Sequence, residues 1–219
     1  MSTLTLLRHG QAAFGAERYD ELSSLGAEQA RATGVFFAER DFAFTRVIVG
    51  PRQRHRQTAL GATGTETFDI DASLDEFAEG EQVLRSAAAR TGLPAFDRSA
   101  ISRREQLRLY AEQLDLWAQD QAPIDGVVAA EVFRSRVAAW LASVTAAAPP
   151  QQHLLAVTSA GVIAAVVCEV LGQNGKALAA YMQVLRNASI TTLLYSGTRI
   201  TLQDFNASQH LPATLLTSI

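Results

Sequence analysis

Three short stretches carry residue types that could do chemistry. In "LTLLRHGQ" an apolar run ends in Arg8, His9 and Gly10. An imidazole there can act as a nucleophile, and a guanidinium beside it can clamp an anion. In "TRVIVGPRQRHRQTA" a second apolar run ends in Gly50 and Pro51 and is followed by Arg52, Arg54 and Arg56. On a helix Arg52 and Arg54 differ in direction by about 200°, so both cannot face one pocket. In "HLLAVTSAGVI" a third run ends in Thr158, Ser159, Ala160 and Gly161, a polar and small-residue start for a helix. Arginines together with a helix N-terminus make an anion pocket, most naturally for phosphate.

These stretches need a scaffold that brings them together. The run at 3–7 reads as a buried strand, 45–50 as a second and 153–158 as a third. Between them, "SSLGAEQARATGVFFAER" reads as a helix capped by Ser23 or Ser24 with Glu28 in its first turn. Pro51 opens the helix "RQRHRQTALGA". "ETFDIDASLDEF" reads as an extended piece leading into a loop. Residues 81–122 are helical in pattern, broken at Gly92-Leu93-Pro94, and "AAEVFRSRVAAWLASVTAAA" is a further helix stopped by Pro149-Pro150. "VIAAVVCEVL" is an apolar helix with Gly172 as its stop. "SITTLLYS" and "RITLQDF" predict a hairpin around Ser196-Gly197. Alternating strands and helices predict an α/β three-layer sandwich with a mostly parallel central sheet, ending in an antiparallel pair. In such sheets the ligand crevice lies beyond the carboxyl ends of the strands, where all three stretches fall.

The totals bound the reading. The chain has 219 residues of one composition throughout, which predicts a single domain, residues 1–219, with a helical lid inserted at about 81–130. Hydrophobic residues make up 48%, enough for a large core. A net charge of −3 without a basic stripe argues against nucleic acid. Of the 19 Lys and Arg, only Lys176 is lysine, so any anion site would be built from guanidinium groups. The single cysteine, Cys168, permits no internal disulfide, fits a reducing compartment and reads as a buried hydrophobe. "MSTLTLL" lacks a secretory n-region, and no segment is long enough to span a bilayer, so a cytoplasmic protein with no membrane partner is expected.

"LLRHGQ" followed by "GPRQRHRQTA" resembles the two halves of the signature of the histidine phosphatase superfamily, the phosphoglycerate mutase-like fold. The resemblance continues, in the family's order, in "LSSLGAEQA", "LDEFAEG", "VTSAGVI" and "RNASITTLLY". It implies a phosphoric monoester hydrolase in which His9 attacks phosphorus and becomes phosphorylated. It also implies that Arg8 and Arg54 hold the phosphoryl oxygens and that Glu76, rather than Asp75 or Glu79, gives a proton to the leaving oxygen. The chemistry suits these roles, because a neutral imidazole is needed for attack and bidentate arginines disperse charge on the oxygens. No cofactor and no metal are implied, and no Asp/Glu/His cluster has ligand spacing. The implied substrate is a phosphorylated small molecule or a phosphopeptide. Helix-rich lids of this kind often carry homodimer contacts.

The chain also departs from the family pattern. Where the family has a second histidine before a Gly-Gly pair, this chain has Ser159 and Ala160. Ser159 is read as a phosphate-binding residue or a helix cap, and it brings no charge. Losing a charge-assisted contact of this kind costs about 10²–10³ in rate. Ala12, Ala13 and Gly15 replace polar phosphate contacts, and Gly50 replaces a serine. The alternative function is therefore a weak or inactive member that binds a phosphorylated ligand. A mutase is disfavoured because "FAEGEQ" lacks the mutase-like Glu-Arg-His-Tyr-Gly run.

Other conspicuous residues are read structurally. His55 is expected at the surface rather than as a substitute for the missing histidine, since it points about 100° away from Arg54. Arg52 and Arg56 are read as solvated, His153 and His210 as structural, and Trp117 and Trp140 as core. Of the insertion's arginines, Arg85, Arg90, Arg98, Arg103, Arg104 and Arg108, some could reach a second anionic group while most are solvated.

Overall fold

The computed structural model describes residues 1–13, 20–92, 102–146 and 151–218. Among these, six strands form one sheet: β1 (Ser2–Arg8), β2 (Arg46–Val49), β3 (Asp69–Ile70), β4 (His153–Thr158), β5 (Ile190–Ser196) and β6 (Arg199–Ala207). Their spatial order is β3-β2-β4-β1-β5-β6. β3, β2, β4 and β1 run parallel, while β5 joins β1 antiparallel and forms the expected hairpin with β6 through Gly197 at φ +58°.

Alternation along the strands sorts their side chains between two cores, because successive residues face opposite sides of a sheet. Leu4 and Leu6 of β1 and Leu154 and Ala156 of β4 pack on one face, under α6 (Ala160–Leu171). Leu7, Leu155 and Val157 point the other way, against Phe37, Ala59 and Ala62. Those three belong to α1 (Ser24–Glu39) and α2 (Gln53–Thr63). Coverage of both faces is why these strands read as continuous apolar runs. Residues Gly161 to Cys168 of α6 are all buried, as expected for a helix apolar all round. Burial raises the Cys168 thiol to about 11, which keeps it protonated.

Three more helices fill the middle of the chain: α3 (Gly80–Arg90), α4 (Arg103–Ala118) and α5 (Ala130–Ala146). Trp117 of α4 stacks on Phe77, with ring centroids 4.1 Å apart, and both sit against Phe133 of α5. Trp117 and Trp140 are core, as expected. Residues 93–101, which include Leu93, Pro94 and Arg98, and Pro149-Pro150 lie outside the described residues.

Some boundaries differ from expectation. Ser23 caps α1 by accepting from Gly26 N–H at 3.0 Å, but Glu28 falls beyond the first turn. α2 begins two residues after Pro51, with Arg52 as its cap residue. One helix has no counterpart in the sequence reading, α7 (Gly175–Val184). It starts at Asn174, whose side chain accepts from Lys176 N–H, and a Cβ on Gly175 would lie 1.7 Å from Ala118 O. A glycine at the first helical position hid a helix that needs it to approach α4.

Candidate active site

The sheet brings the three strand ends side by side. Parallel pairing sets Arg8 opposite Thr158 and Val49 opposite Val157. Beyond the last pairs, His9 N–H donates to Thr158 O at 2.9 Å and Gly50 N–H to Val157 O at 3.0 Å. His9, Gly50 and Ser159 are thus neighbours at one edge, although far apart in the chain.

His9 is buried, and its Nδ1 lies 2.7 Å from Gly10 O. A carbonyl only accepts, so Nδ1 carries the proton and Nε2 keeps its lone pair. Burial first, then the nearby charge of Arg54, holds this ring well below the usual histidine range, so it is neutral. Gly10 is required here, because a Cβ on it would lie 2.4 Å from Gly26 O of α1. The loop is tied to α2 as well: Gly10 N–H donates to Thr58 Oγ1 at 3.1 Å, and that hydroxyl donates to Arg54 O at 2.7 Å. Asn187 reaches the His9 carbonyl from beyond α7 through its side-chain amide, at 3.4 Å.

The two expected arginines flank His9. Arg8 is buried and donates to Leu185 O, and desolvation lowers its guanidinium to about 10 against the opposing pull of Glu76. Arg54 is buried on the inner face of α2, 3.2 Å from Asp20 Oδ1 and 3.7 Å from Glu79 Oε2. Both Arg52 and Arg54 reach Glu79, although of the two only Arg54 lines the cavity described below. Arg52 is the N-cap residue of α2 rather than part of the helix, and it is not solvated. It is largely buried, with Nε 2.5 Å from Asp75 Oδ1, a second contact to Glu79 and a hydrogen bond to Glu76 O at 3.2 Å. A guanidinium fork suits this task of holding several acceptors of one loop. Arg136 of α5 adds a donor to Asp75 O. Arg56 is half-buried and donates to Pro51 O.

That loop presents Glu76. Glu76 Oε2 accepts from Gly161 N–H at 3.0 Å and Oε1 from Phe77 N–H at 3.1 Å. A Cβ on Gly161 would lie 2.1 Å from Oε1, so the glycine retained in "SAG" makes the seat for this carboxyl. Asp75 and Glu79 are occupied with arginines.

Ser159 stands at the N-cap of α6, but its side chain makes no capping hydrogen bond. Its Oγ lies 2.8 Å from His55 Nε2. The expectation of a surface His55 is therefore wrong: the ring is fully buried, and its centroid lies 5.6 Å from that of His9. Burial, then Arg54 and Arg52, hold it well below the usual histidine range. A signal was available in the sequence. His55, Thr58, Ala59 and Ala62 form one buried helical stripe, the i, i+3, i+4, i+7 pattern, with the histidine at its head.

Arg8, His9, Arg54 and Glu76 line one cavity of about 810 Å³. Its far wall comes from α3 and α4, with Leu84, Leu107, Tyr110 and Leu114 as apolar surface and Arg103 and Gln106 as polar groups. Of the insertion's other described arginines, Arg85 and Arg108 pair with glutamates of their own helices and Arg90 with Glu112. Outside the cavity, His153 Nδ1 meets Thr3 Oγ1 at 2.8 Å, and His210 Nε2 meets Thr33 Oγ1 at 3.1 Å. Both histidines are structural. Among the described residues no three His, Cys, Asp or Glu side chains gather as metal ligands would, and no helix is long and apolar enough to cross a membrane.

The fold is shared with solved phosphatases. A phosphoserine phosphatase from Entamoeba histolytica, in complex with 3-phosphoglyceric acid, superimposes with a TM-score of 0.70. It is 19% identical, and the match covers 97% of this chain and 100% of that one. The mycobacterial glucosyl-3-phosphoglycerate phosphatase in complex with VO3 gives a TM-score of 0.64 at 25% identity, covering 94% and 99%. A putative α-ribazole-5'-P phosphatase from Escherichia coli gives 0.67 at 18%, covering 94% and 98%. No curated protein matches the chain by sequence. The sequence profile of the histidine phosphatase superfamily (branch 1) matches residues 4–208, almost the whole chain including every strand end described above, and the chain belongs to that superfamily.

Proposed function

We propose that this protein is a metal-independent phosphomonoesterase that works through a phosphohistidine on His9. The observation that carries the reading is the state of that ring. Its proton is pinned to Gly10 O, it is kept neutral, and its free nitrogen belongs to a residue facing a cavity flanked by two buried arginines.

Each step is assigned to a group. Nε2 attacks phosphorus as the ester P–O bond breaks, and Arg8 and Arg54 neutralise charge on the equatorial oxygens. Glu76, in its acid form, gives its proton to the leaving oxygen. Water then attacks phosphorus with Glu76 carboxylate as base, the P–N bond breaks, and phosphate leaves with His9 neutral again. The Gly161 and Phe77 amides fix both carboxyl oxygens for these transfers.

The substrate is a phosphorylated small molecule or a phosphopeptide. The cavity is much larger than a phosphate group, and its apolar wall with Arg103 suits an ester whose body is part apolar. In this reading α3 and α4 serve as the lid of a single domain. A second reading, a phospho-ligand-binding protein without useful turnover, is supported by the neutral Ser159, which on the resemblance takes the place of the family's second histidine.

The test is hydrolysis of p-nitrophenyl phosphate with EDTA present, from pH 5 to 8, with His9→Ala beside the natural protein. Turnover lost in His9→Ala supports the first reading. Tight binding of inorganic phosphate without turnover supports the second. Activity that survives His9→Ala rejects His9 as nucleophile.

A further inference from the structure

One face of α4 turns toward the cavity. Arg103, Gln106, Leu107, Tyr110 and Leu114 follow the helical stripe i, i+3, i+4, i+7 and i+11, and all five line it. The stripe is graded from one end to the other. Tyr110 stands at the phosphate end, close enough to Arg8 to act on its charge. Arg103 stands seven residues before it, about 10 Å away along the axis at 1.5 Å per residue. Leu107 lies between them and is 46% exposed although it lines the cavity. Phe77, Leu84 of α3 and Met182 of α7 add further apolar wall.

The fold itself makes no use of the Arg103 guanidinium. Arg85, Arg90 and Arg108 of the same lid each meet a glutamate. Arg103 is exposed, and its side chain makes no ion pair or hydrogen bond among the described residues. It also opens α4, where the helix dipole disfavours a cation. Arg104 follows it but points about 100° away and does not line the cavity. A cation held at the cavity wall against the dipole is open to an anion brought by the ligand. Two arginines, Arg8 and Arg54, face the phosphate dianion at one end. The single guanidinium at the other end matches a monoanion, and its planar fork fits a carboxylate. Between the ends, the amides of a peptide would go unpaired against leucine, which favours a small molecule.

We propose that the substrate is an elongated phosphomonoester in which an apolar body about two helical turns long separates the phosphate from a carboxylate. Arg103 binds the carboxylate, and Leu107 covers the body. This inference deepens, and rests on, the reading of the cavity as a phosphatase site. It sets the substrate apart from short phospho acids. In those the carboxylate lies only a few bonds from phosphorus, and it would not reach Arg103 while the phosphate stands at His9.

The test is a series of ω-phosphonooxyalkanoic acids of two, four and eight carbons, each beside its neutral carboxamide. Hydrolysis is read as kcat and KM, and binding as Kd by calorimetry. The eight-carbon acid should exceed its amide roughly 10-fold in kcat/KM, mainly through KM, and the two-carbon pair should show no such preference. Arg103→Ala should bring the eight-carbon ratio to about one, and Arg103→Glu should reverse it. Arg103→Lys should keep only part of it. Leu107→Gln should narrow the advantage of eight carbons over two among the amides. Both positions are exposed, so these variants leave the core intact. An acid preference largest at two carbons, or one that survives Arg103→Ala, would overturn the proposal. So would a phosphoseryl peptide turned over faster than the eight-carbon acid. Absence of turnover for every ester, or turnover that persists in His9→Ala, would reject the phosphohistidine reading, while calorimetry on the same pairs judges Arg103 by itself.

Discussion

Two neighbouring strand ends at this sheet edge are built by the same device and differ in what it holds. On one side Gly10 lets the Arg8-His9 strand end lie against Gly26 of α1. On the other, the missing Cβ of Gly50 leaves room for the imidazole of His55 from α2, which meets Ser159. In both halves a missing Cβ fixes where a ring can stand. The first half carries His9 and the second carries His55 with Ser159. The comparison teaches that at this sheet edge the backbone's closest approaches, rather than the side chains' own propensities, decide where an imidazole can be buried.

Breaking the first half should have the largest effect. His9→Ala is expected to lower metal-free hydrolysis by roughly 10⁴-fold or more, as removal of a nucleophile does elsewhere. A drop below tenfold would contradict the assignment. Arg54→Ala comes next, with kcat/KM down by about 10²–10³, and Arg54→Lys should recover little of it because a point charge lacks the planar fork. Steady-state kinetics on one phosphomonoester decides this.

Glu76→Gln sharpens the comparison by leaving group. An alkyl phosphate should lose about 10²-fold in kcat, while p-nitrophenyl phosphate, whose leaving group needs no proton, should lose only a few-fold. Equal losses would mean that Glu76 has another task. Gly161→Ala should reproduce the same substrate dependence at smaller amplitude, because its Cβ would dislodge the carboxyl.

Much of this was legible in the sequence, for physical reasons. Strands covered on both faces announce themselves as apolar runs, and His153–Thr158 coincides with its expected limits. Glycine at a left-handed stop, Gly172 with φ +62°, marks the end of α6 unambiguously. Arg8, His9, Arg54 and Glu76 meet in one cavity because motif spacing carries the positions of strand ends. What failed depended on tertiary contacts. Arg52 looked solvated because nothing local says that Asp75 and Glu79 will come to it. The reading of His55 measured its angle from Arg54 but not which arc of α2 the sheet would cover, and that arc includes both residues. α7 stayed hidden because its leading glycine serves a contact with α4, not local propensity.

The smallest expected effect concerns stability. His9 and His55 are both held neutral, so the unfolded chain takes up protons that the folded chain refuses once pH falls below the ordinary histidine value of about 6.5. Stability should therefore be full above that value and fall as pH drops toward the depressed values of the folded rings, by at most about 1.4 kcal/mol per pH unit for each ring. Urea unfolding at pH 7, 6 and 5 measures this. The His9→Ala and His55→Ala variants should each remove part of the dependence, with His210, also lowered by burial, supplying a further share, and an unchanged slope in both would show that the two rings are not the source.

The most direct test of the central claim is chemical. The protein would be mixed with p-nitrophenyl phosphate, quenched in alkali within the first turnovers, digested and examined by mass spectrometry. The account predicts an acid-labile, alkali-stable phosphoryl group on the peptide carrying His9, absent from the His9→Ala protein. Turnover without that label, or a phosphoryl group on any other residue, would contradict it.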